Sequence, residues 1–274
     1  MARPRAYHGA MASSPPQLLP PGQGVLGWWL TWWHIFFLGA QVGVLALSPS
    51  SYTQPRRARL ARHMARAALP VLPWFGLVSA LLSLVIARIV LVTAASFGLD
   101  QYALGMVVRV LVLELIPLAA ALFVAVRITV PTAGLLSARR QAQGLVPARR
   151  AGRDLLRDDI APRALAGWFS VLLLAAMASV ITLLLAYLLV HGFTPWGFER
   201  FTRQVGQVFS PAVTLIFVMK TMAFGAAVAV VPLGSALHDT SESGNGLPLE
   251  LQGLVRLLMA LLLIELASLV GNYY

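Results

Sequence analysis

Residues 102–127 read YALGMVVRVLVLELIPLAAALFVAVR, a stretch in which only Arg109, Glu114 and Arg127 carry a formal charge. A helix needs about 20 predominantly apolar residues to cross the hydrocarbon core of a bilayer. The stretch is long enough for such a crossing, and it therefore predicts a membrane-spanning helix. Ionisable residues inside such helices are energetically costly and are candidates for function.

The composition of the whole chain agrees with this stretch. Of 274 residues, 58% are hydrophobic and 11% are charged, and the mean hydropathy is +0.77. Soluble domains carry about 25% charged residues, so a cytosolic enzyme is excluded, and a disordered chain would be poor in apolar residues. We predict an all-α integral membrane protein whose apolar segments are 24–47, 67–99, 102–136, 164–190, 205–237 and 247–271.

The placement of arginine predicts the orientation in the membrane. The chain has 21 basic and 10 acidic residues, which give a net charge of +11. Two clusters hold most of the basic residues: Arg56, Arg57, Arg59, Arg62 and Arg66, and then Arg139, Arg140, Arg149, Arg150, Arg153, Arg157 and Arg163. Two predicted crossings separate the clusters, so both lie on one side, which the positive-inside rule identifies as cytoplasmic. The charge is therefore attributed to topology and not to a nucleic-acid partner, and the C-terminus is predicted outside.

The first apolar segment differs from the others. Four tryptophans lie between Trp28 and Trp33, and tryptophan is enriched at the level of the lipid head groups. We therefore predict an interfacial or re-entrant helix at 24–47, preceded by a flexible proline-rich leader at 1–23 and followed by five crossings within a 24–274 transmembrane domain. The alternative is a signal peptide, although the apolar run is longer than the 7–15 residues typical of one.

Ionisable residues within the predicted spans include Arg88, Arg109, Glu114, Arg127, Lys220, Arg256 and Glu265. Arg127 and Arg256 lie near the cytoplasmic ends of their segments, where a long side chain can reach the head groups without any functional role. Arg109 is near enough to the outer face to do the same. Glu114, Lys220 and Glu265 lie deeper and are the stronger candidates.

Glu114 has two interpretations. At about 1.5 Å per residue it lies roughly 20 Å into its helix, and Pro117, three residues later, is expected to kink that helix. Its carboxyl group is either neutral or paired with Arg88 or Arg109 as a structural contact, or it is a polar element of a transport pathway. On the second interpretation, Glu114→Ala leaves membrane insertion intact but lowers activity.

Lys220, the single lysine of the chain, and Glu265 lie on adjacent predicted spans. Their depths differ by about one helical turn, roughly 5.4 Å, which a lysine side chain can bridge. We predict that they pair, as a structural ion pair or as part of a functional site. We also predict that Glu114, Lys220 and Glu265 all face the protein interior, because a charge at the bilayer centre is costly.

Several chemical motifs are missing from the sequence. No GxxxxGK[ST] phosphate-binding loop occurs, so the chain is not expected to hydrolyse ATP itself. The sequence contains no HExxH, no GxSxG and no cysteine, and its five histidines are scattered singly. These observations argue against a metal site and against nucleophilic catalysis. An enzyme acting on lipid head groups would need clustered His, Asp or Ser residues, which the sequence does not supply.

Three collinear motifs carry a family resemblance. LELIPLAAAL at 113–122, followed by Val126 and Arg127, resembles the ELGP…ALLxAGR signature of MlaE-type permeases. IAPRALAG at 160–167 and KTMAFG at 220–225 are similar to two further stretches of that family, and Glu265 falls where the family usually has an acidic residue. The resemblance extends from about residue 101 to the C-terminus.

The resemblance implies an MlaE-like ABC permease fold, with no cofactor in this chain. It implies a homodimer or heterodimer of permease chains that holds phospholipid in the bacterial inner membrane, below a periplasmic MCE-domain protein. ATP and Mg would be bound by a cytoplasmic ATPase, with coupling through the 135–159 stretch, where the candidate residues are Arg139, Arg140, Arg149 and Arg150. Residues 137–144 of this stretch lack the acidic residues usual in the family, and the first acid is Asp154, so a non-transporting scaffold or one half of a heterodimer is the alternative.

Overall fold

The computed structural model describes residues 21–47, 54–143, 160–238 and 249–273. The described residues form ten α-helices: α1 (Pro21–Leu47), α2 (Gln54–Ala68), α3 (Leu72–Ser96), α4 (Asp100–Val107), α5 (Ile116–Val124), α6 (Val130–Gln143), α7 (Ala161–His191), α8 (Phe198–Val208), α9 (Pro211–His238) and α10 (Leu249–Tyr273). Two π-helical segments, π1 (Val108–Leu115) and π2 (Ala125–Thr129), join α4, α5 and α6 into one continuous helical rod. A short 3₁₀ turn, Pro195–Gly197, precedes α8.

Five stretches of these helices are long and apolar enough to cross a membrane: Leu72–Ser96, Asp100–Ala138, Ala161–His191, Pro211–Leu237 and Leu251–Asn272. The all-α architecture, the five candidate crossings and the helix before them agree with the prediction. We call the end of the bundle that holds Asp100 and Pro211 the outer end, following the orientation predicted from the arginine clusters, and the opposite end the inner end. The predicted leader at 1–23 lies almost entirely outside the described residues.

The fourth crossing begins later than predicted. The sequence analysis placed its start at residue 205, but residues 198–208 form the separate helix α8, and α9 begins at Pro211. Proline is well suited to the first position of a helix because its missing N–H needs no partner there. The hydroxyl of Ser210 accepts a hydrogen bond from the N–H of Val213 at 3.3 Å and so caps the new helix. α8 buries Phe201 and Val208 and exposes its charged residues.

The first arginine cluster lies on a helix that was not among the predicted apolar segments. α2 carries it and ends at Ala68. Pro70 follows α2, and proline disfavours the helical conformation in the residue before it, while Pro73 lies in the first turn of α3. Ala68 is buried, while Arg62 and Arg66 are exposed. The helix is amphipathic and packs against α7 at the inner end.

α7 lies at the centre of the bundle and packs closely through small residues. The hydroxyl groups of Ser83 on α3 and Thr182 on α7 are 2.7 Å apart and both are buried. A Cβ added to Gly225 of α9 would lie 2.4 Å from Cδ1 of Trp168 on α7, and the indole N–H of Trp168 donates to the carbonyl of Met222 at 3.2 Å. Small residues let membrane helices approach in this way.

The N-terminal helix α1 packs on the inner half of α9. Cβ atoms added to Gly39 and Gly234 would lie 3.3 Å from Val230 and 2.9 Å from Ile35, respectively. Val42 joins a buried cluster with Leu136 and other residues of the inner end. These contacts place α1 alongside α9, before the five crossings, and its interfacial or re-entrant position stays a prediction.

Candidate functional site

Glu114 lies in the π-helical segment π1, which ends just before Pro117. The N–H of Ile116 bonds to the carbonyl of Leu111, five residues earlier, as in a π-helix. Pro117 has no N–H to donate to the carbonyl of Leu113, four residues before it. Single π-helical turns inside α-helices occur frequently at functional sites. Where the sequence predicted a kink at Pro117, the structure has a π-helical segment, whose turns are wider than those of an α-helix. This widened turn carries the carboxylate of Glu114.

Lys220 extends from α9 towards this widened turn. Its side chain is 1% exposed, and Nζ forms ion pairs with Oε2 of Glu114 and, at 2.9 Å, with Oε2 of Glu265 on α10. Nζ also donates to the carbonyl of Leu113 at 3.4 Å. We call Glu114, Lys220 and Glu265 the ion cluster. It joins the second, fourth and fifth crossings at one point.

Other polar groups of α10 lie beside the ion cluster. Asn272 donates through Nδ2 to Oε1 of Glu114 at 3.3 Å. Among the described residues, the side-chain oxygens of Ser268 and Asn272 are buried and have no hydrogen-bond partner. Residues 265, 268 and 272 follow helical spacing and therefore share one face of α10. This face of α10 therefore holds two buried side-chain oxygens, of Ser268 and Asn272, that could still form hydrogen bonds.

The charges of the ion cluster are not balanced within it. With all three groups ionised, two carboxylates face one ammonium group, and the formal charge of the cluster is −1. The ring of Phe224 lies 5.7 Å from Nζ and covers it on one side. The side chains of Glu114 and Glu265 are 18% and 16% exposed, so part of each side chain borders the surface of this chain, although Oε2 of Glu265 is buried. The site can therefore offer a carboxylate oxygen to a polar group that approaches from that surface.

The predicted meeting of Lys220 and Glu265 is confirmed, but Glu114 has a different partner from those predicted. Neither Arg88 nor Arg109 pairs with Glu114, and both arginine side chains are exposed. Lys220 holds Glu114 instead, and the expected effect of Glu114→Ala on activity stays a prediction. No motif in the sequence indicated Lys220 as the partner of Glu114, although Pro117 marked the turn.

The remaining candidates lie elsewhere. Arg109 lines an outer cleft of about 440 Å³ with Gln204 and Gln207. Arg256 donates to the hydroxyl of Ser235 at 3.2 Å near the inner end. Of the predicted coupling residues, Arg139 and Arg140 belong to the last turns of α6, and Arg149 and Arg150 lie outside the described residues. The coupling role stays a prediction.

Comparison with known proteins gives one family match. Residues 60–269 match the family model described as Permease MlaE, which covers more than three quarters of the chain. The matched region contains all three residues of the ion cluster and begins within α2, after α1. No match is found among curated proteins.

Proposed function

The chain belongs to the MlaE permease family, and from this membership we propose that it is the transmembrane subunit of an ATP-driven phospholipid transporter in the bacterial inner membrane. Two permease chains, identical or different, hold the lipid between them. A cytoplasmic ATPase binds and hydrolyses ATP with Mg, and a periplasmic MCE-domain protein exchanges lipid at the outer end. The chain itself is a non-catalytic membrane subunit.

The observation that carries the proposal is the extent of the family match, which takes in almost all of the residues that form the five crossings. The apolar outer surfaces of the bundle support the same function. Large hydrophobic side chains are exposed along α3 and α10, among them Leu81, Ile89, Leu262 and Leu266. These surfaces suit acyl chains or a second permease chain, and they do not suit water.

The ion cluster is proposed as a polar element that borders the lipid pathway. Charged residues inside membrane proteins commonly mark substrate pathways, and the side chains of both glutamates are partly exposed at the surface of this chain. There they can accept hydrogen bonds from a polar head group or from water that solvates it. Arg88 is exposed on the outside of the bundle and is proposed as a second polar position. Another permease chain would shield its charge from the lipid tails there.

Purification of the full-length chain from its native membrane tests the proposal. We expect an ATP-binding subunit and an MCE-domain protein to co-purify with it, and phospholipid to be extracted from the complex. In vesicles, the complex should move a labelled phospholipid to the MCE-domain protein only when ATP and Mg are present. Glu265→Gln should lower this rate while the complex still assembles, and Arg203→Gln, which changes an exposed outer residue, should not.

Other outcomes distinguish the alternatives. A complex that contains the ATPase and the MCE-domain protein but moves no lipid would indicate a scaffold, or one half of a heterodimer that still needs its partner chain. Absence of any ATPase from the purified material would contradict the transporter proposal. Crosslinks from residues 135–159 to the ATPase would support coupling through that stretch, and crosslinks to lipid alone would oppose it.

A further inference from the structure

A cleft of about 760 Å³ opens at the inner end, far from the ion cluster. It lies between α2, the start of α3, the segment around π2 and the start of α7. Arg127, on its wall, is 13 residues from Glu114 along the same helical rod, which corresponds to about 20 Å. The cleft is therefore separate from the ion cluster, and its volume falls in the range of small-molecule sites.

The polar side of the cleft is basic. His63 and Arg66 of α2, Arg127 of π2 and Arg163 of α7 line it, and its lining contains no acidic residue. Three different helical segments contribute these groups, so they converge because of the fold and not because they are neighbours in sequence. Such an arrangement attracts an anion, and arginine suits phosphate because its planar group can donate two parallel hydrogen bonds.

The other side of the cleft is apolar and runs into the membrane-spanning part of α3. Trp74 and Val78 line it from α3, and Phe123 and Ile128 line it from the second crossing. Trp74 is 66% exposed, and an exposed tryptophan is typical of the head-group level of a bilayer. The cleft thus passes from basic groups at the interface to apolar walls on the membrane side.

We propose that this cleft binds one phospholipid with an anionic head group from the cytoplasmic leaflet. The phosphate and the head group lie among His63, Arg66, Arg127 and Arg163, and the acyl chains lie along Trp74 and Val78. Basic pockets between membrane helices on the cytoplasmic side recognise anionic lipids by this combination. A soluble phosphate compound would use only the basic end, and it would leave the apolar walls without a function.

Native mass spectrometry of the full-length chain in detergent micelles tests the site. Phosphatidylglycerol and phosphatidylcholine with the same acyl chains are the probes, and we expect the chain to retain phosphatidylglycerol preferentially. Removal of one basic group should weaken retention roughly fivefold, so Arg66→Gln and Arg127→Gln should each show this loss. The double variant should lose more, and Arg66→Lys should keep most of the binding.

A second variant tests the apolar half of the site independently. Val78 is half-exposed and lines the cleft, so Val78→Trp should fill the acyl-chain side without disturbing the buried core. It should reduce phosphatidylglycerol retention as strongly as the loss of an arginine. Arg62→Gln is the matched control for Arg66→Gln, because Arg62 is exposed on α2, as Arg66 is, but does not line the cleft.

Three results would overturn the proposal. The first is equal retention of phosphatidylcholine and phosphatidylglycerol, because the site would then not respond to head-group charge. The second is an equal loss of retention in Arg62→Gln, because any basic residue of α2 would then suffice. The third is a pair of observations: Val78→Trp retains phosphatidylglycerol as well as the natural chain does, and millimolar glycerol phosphate displaces the bound phosphatidylglycerol. The site would then bind a soluble phosphate.

Discussion

Lys220 donates a hydrogen bond to the backbone carbonyl of Leu113, the carbonyl to which Pro117 has no N–H to offer. Within an α-helix the residue four positions later supplies that donor. Here a side chain from another crossing supplies it, and the same ammonium group holds Glu114, one residue further on. The proline, the widened turn and the lysine therefore form one arrangement that links the second crossing to the fourth.

Lys220 should be the least replaceable member of the ion cluster. Lys220→Met leaves two carboxylates in a largely buried site without their cation, and breaking a buried pair in this way costs about 3–5 kcal/mol. Glu265→Gln leaves one lysine with one glutamate, which balances the charge, and should cost less. Membrane yield and thermal unfolding in detergent measure both effects.

Neutralising the whole cluster provides the control for that prediction. The triple change Lys220→Met, Glu114→Gln and Glu265→Gln removes the unpaired charges, so its yield should exceed that of Lys220→Met alone. Additive losses across the series would mean that the three groups do not act together.

The contact between Gly225 and Trp168 should be sensitive to a single methyl group. Gly225→Ala puts a Cβ 2.4 Å from the indole ring, and overpacking of this kind costs about 1–3 kcal/mol. We therefore expect a lower unfolding temperature in detergent. Gly206→Ala is the control because its Cβ would meet no atom within 4 Å, and an equal decrease in both variants would contradict the close contact.

Cysteines introduced at positions 83 and 182 should form a disulfide. The hydroxyl groups of Ser83 and Thr182 are 2.7 Å apart, a separation that suits the short reach of a disulfide, and the natural chain has no cysteine to interfere. Oxidation in the membrane should give a crosslinked product, detected by protease cleavage between α3 and α7. The pair 83 and 180 should not crosslink, since Val180 is exposed on a different part of α7.

The orientation can be measured by cysteine labelling in intact cells. A membrane-impermeant reagent should label a cysteine at Trp196, which is 93% exposed in the outer connection. It should not label one at Gly144, which lies beside the second arginine cluster. Labelling of Gly144 from outside would reverse the predicted topology.

Hydropathy was sufficient to predict six apolar segments that include the five crossings, because an apolar run about 20 residues long has few alternatives in a membrane protein, and the tryptophans between Trp28 and Trp33 set the first segment apart. The similar depths of Lys220 and Glu265 along their adjacent helices were sufficient to predict that they pair. The partner of Glu114 could not be predicted in the same way, since Arg88 and Arg109 are equally cationic and closer in sequence. The rotation of each helix about its own axis decides which cation faces Glu114, and this rotation depends on packing.

The helix α2 and the start of α9 were missed for a related reason. Hydropathy responds to average polarity, so a polar amphipathic helix such as α2 or α8 resembles a loop or merges with the next apolar run. The signals that separate them are local ones: Pro70 and Pro73 after α2, and Ser210 with Pro211 before α9. The basic cleft of α2, π2 and α7 depends on long-range packing and has no comparable signal in the sequence.

The ion cluster also has a consequence for biogenesis. Lys220 follows Glu114 by 106 residues, which corresponds to about 5–20 s of synthesis at typical rates. During that interval the second crossing must enter the membrane with its glutamate unmatched, at a cost of about 2.5–3.5 kcal/mol for a charge at the helix centre. The apolar residues of the same crossing offset that cost. The fourth crossing is thus the step that first neutralises Glu114, and the arrival of α10 completes the cluster.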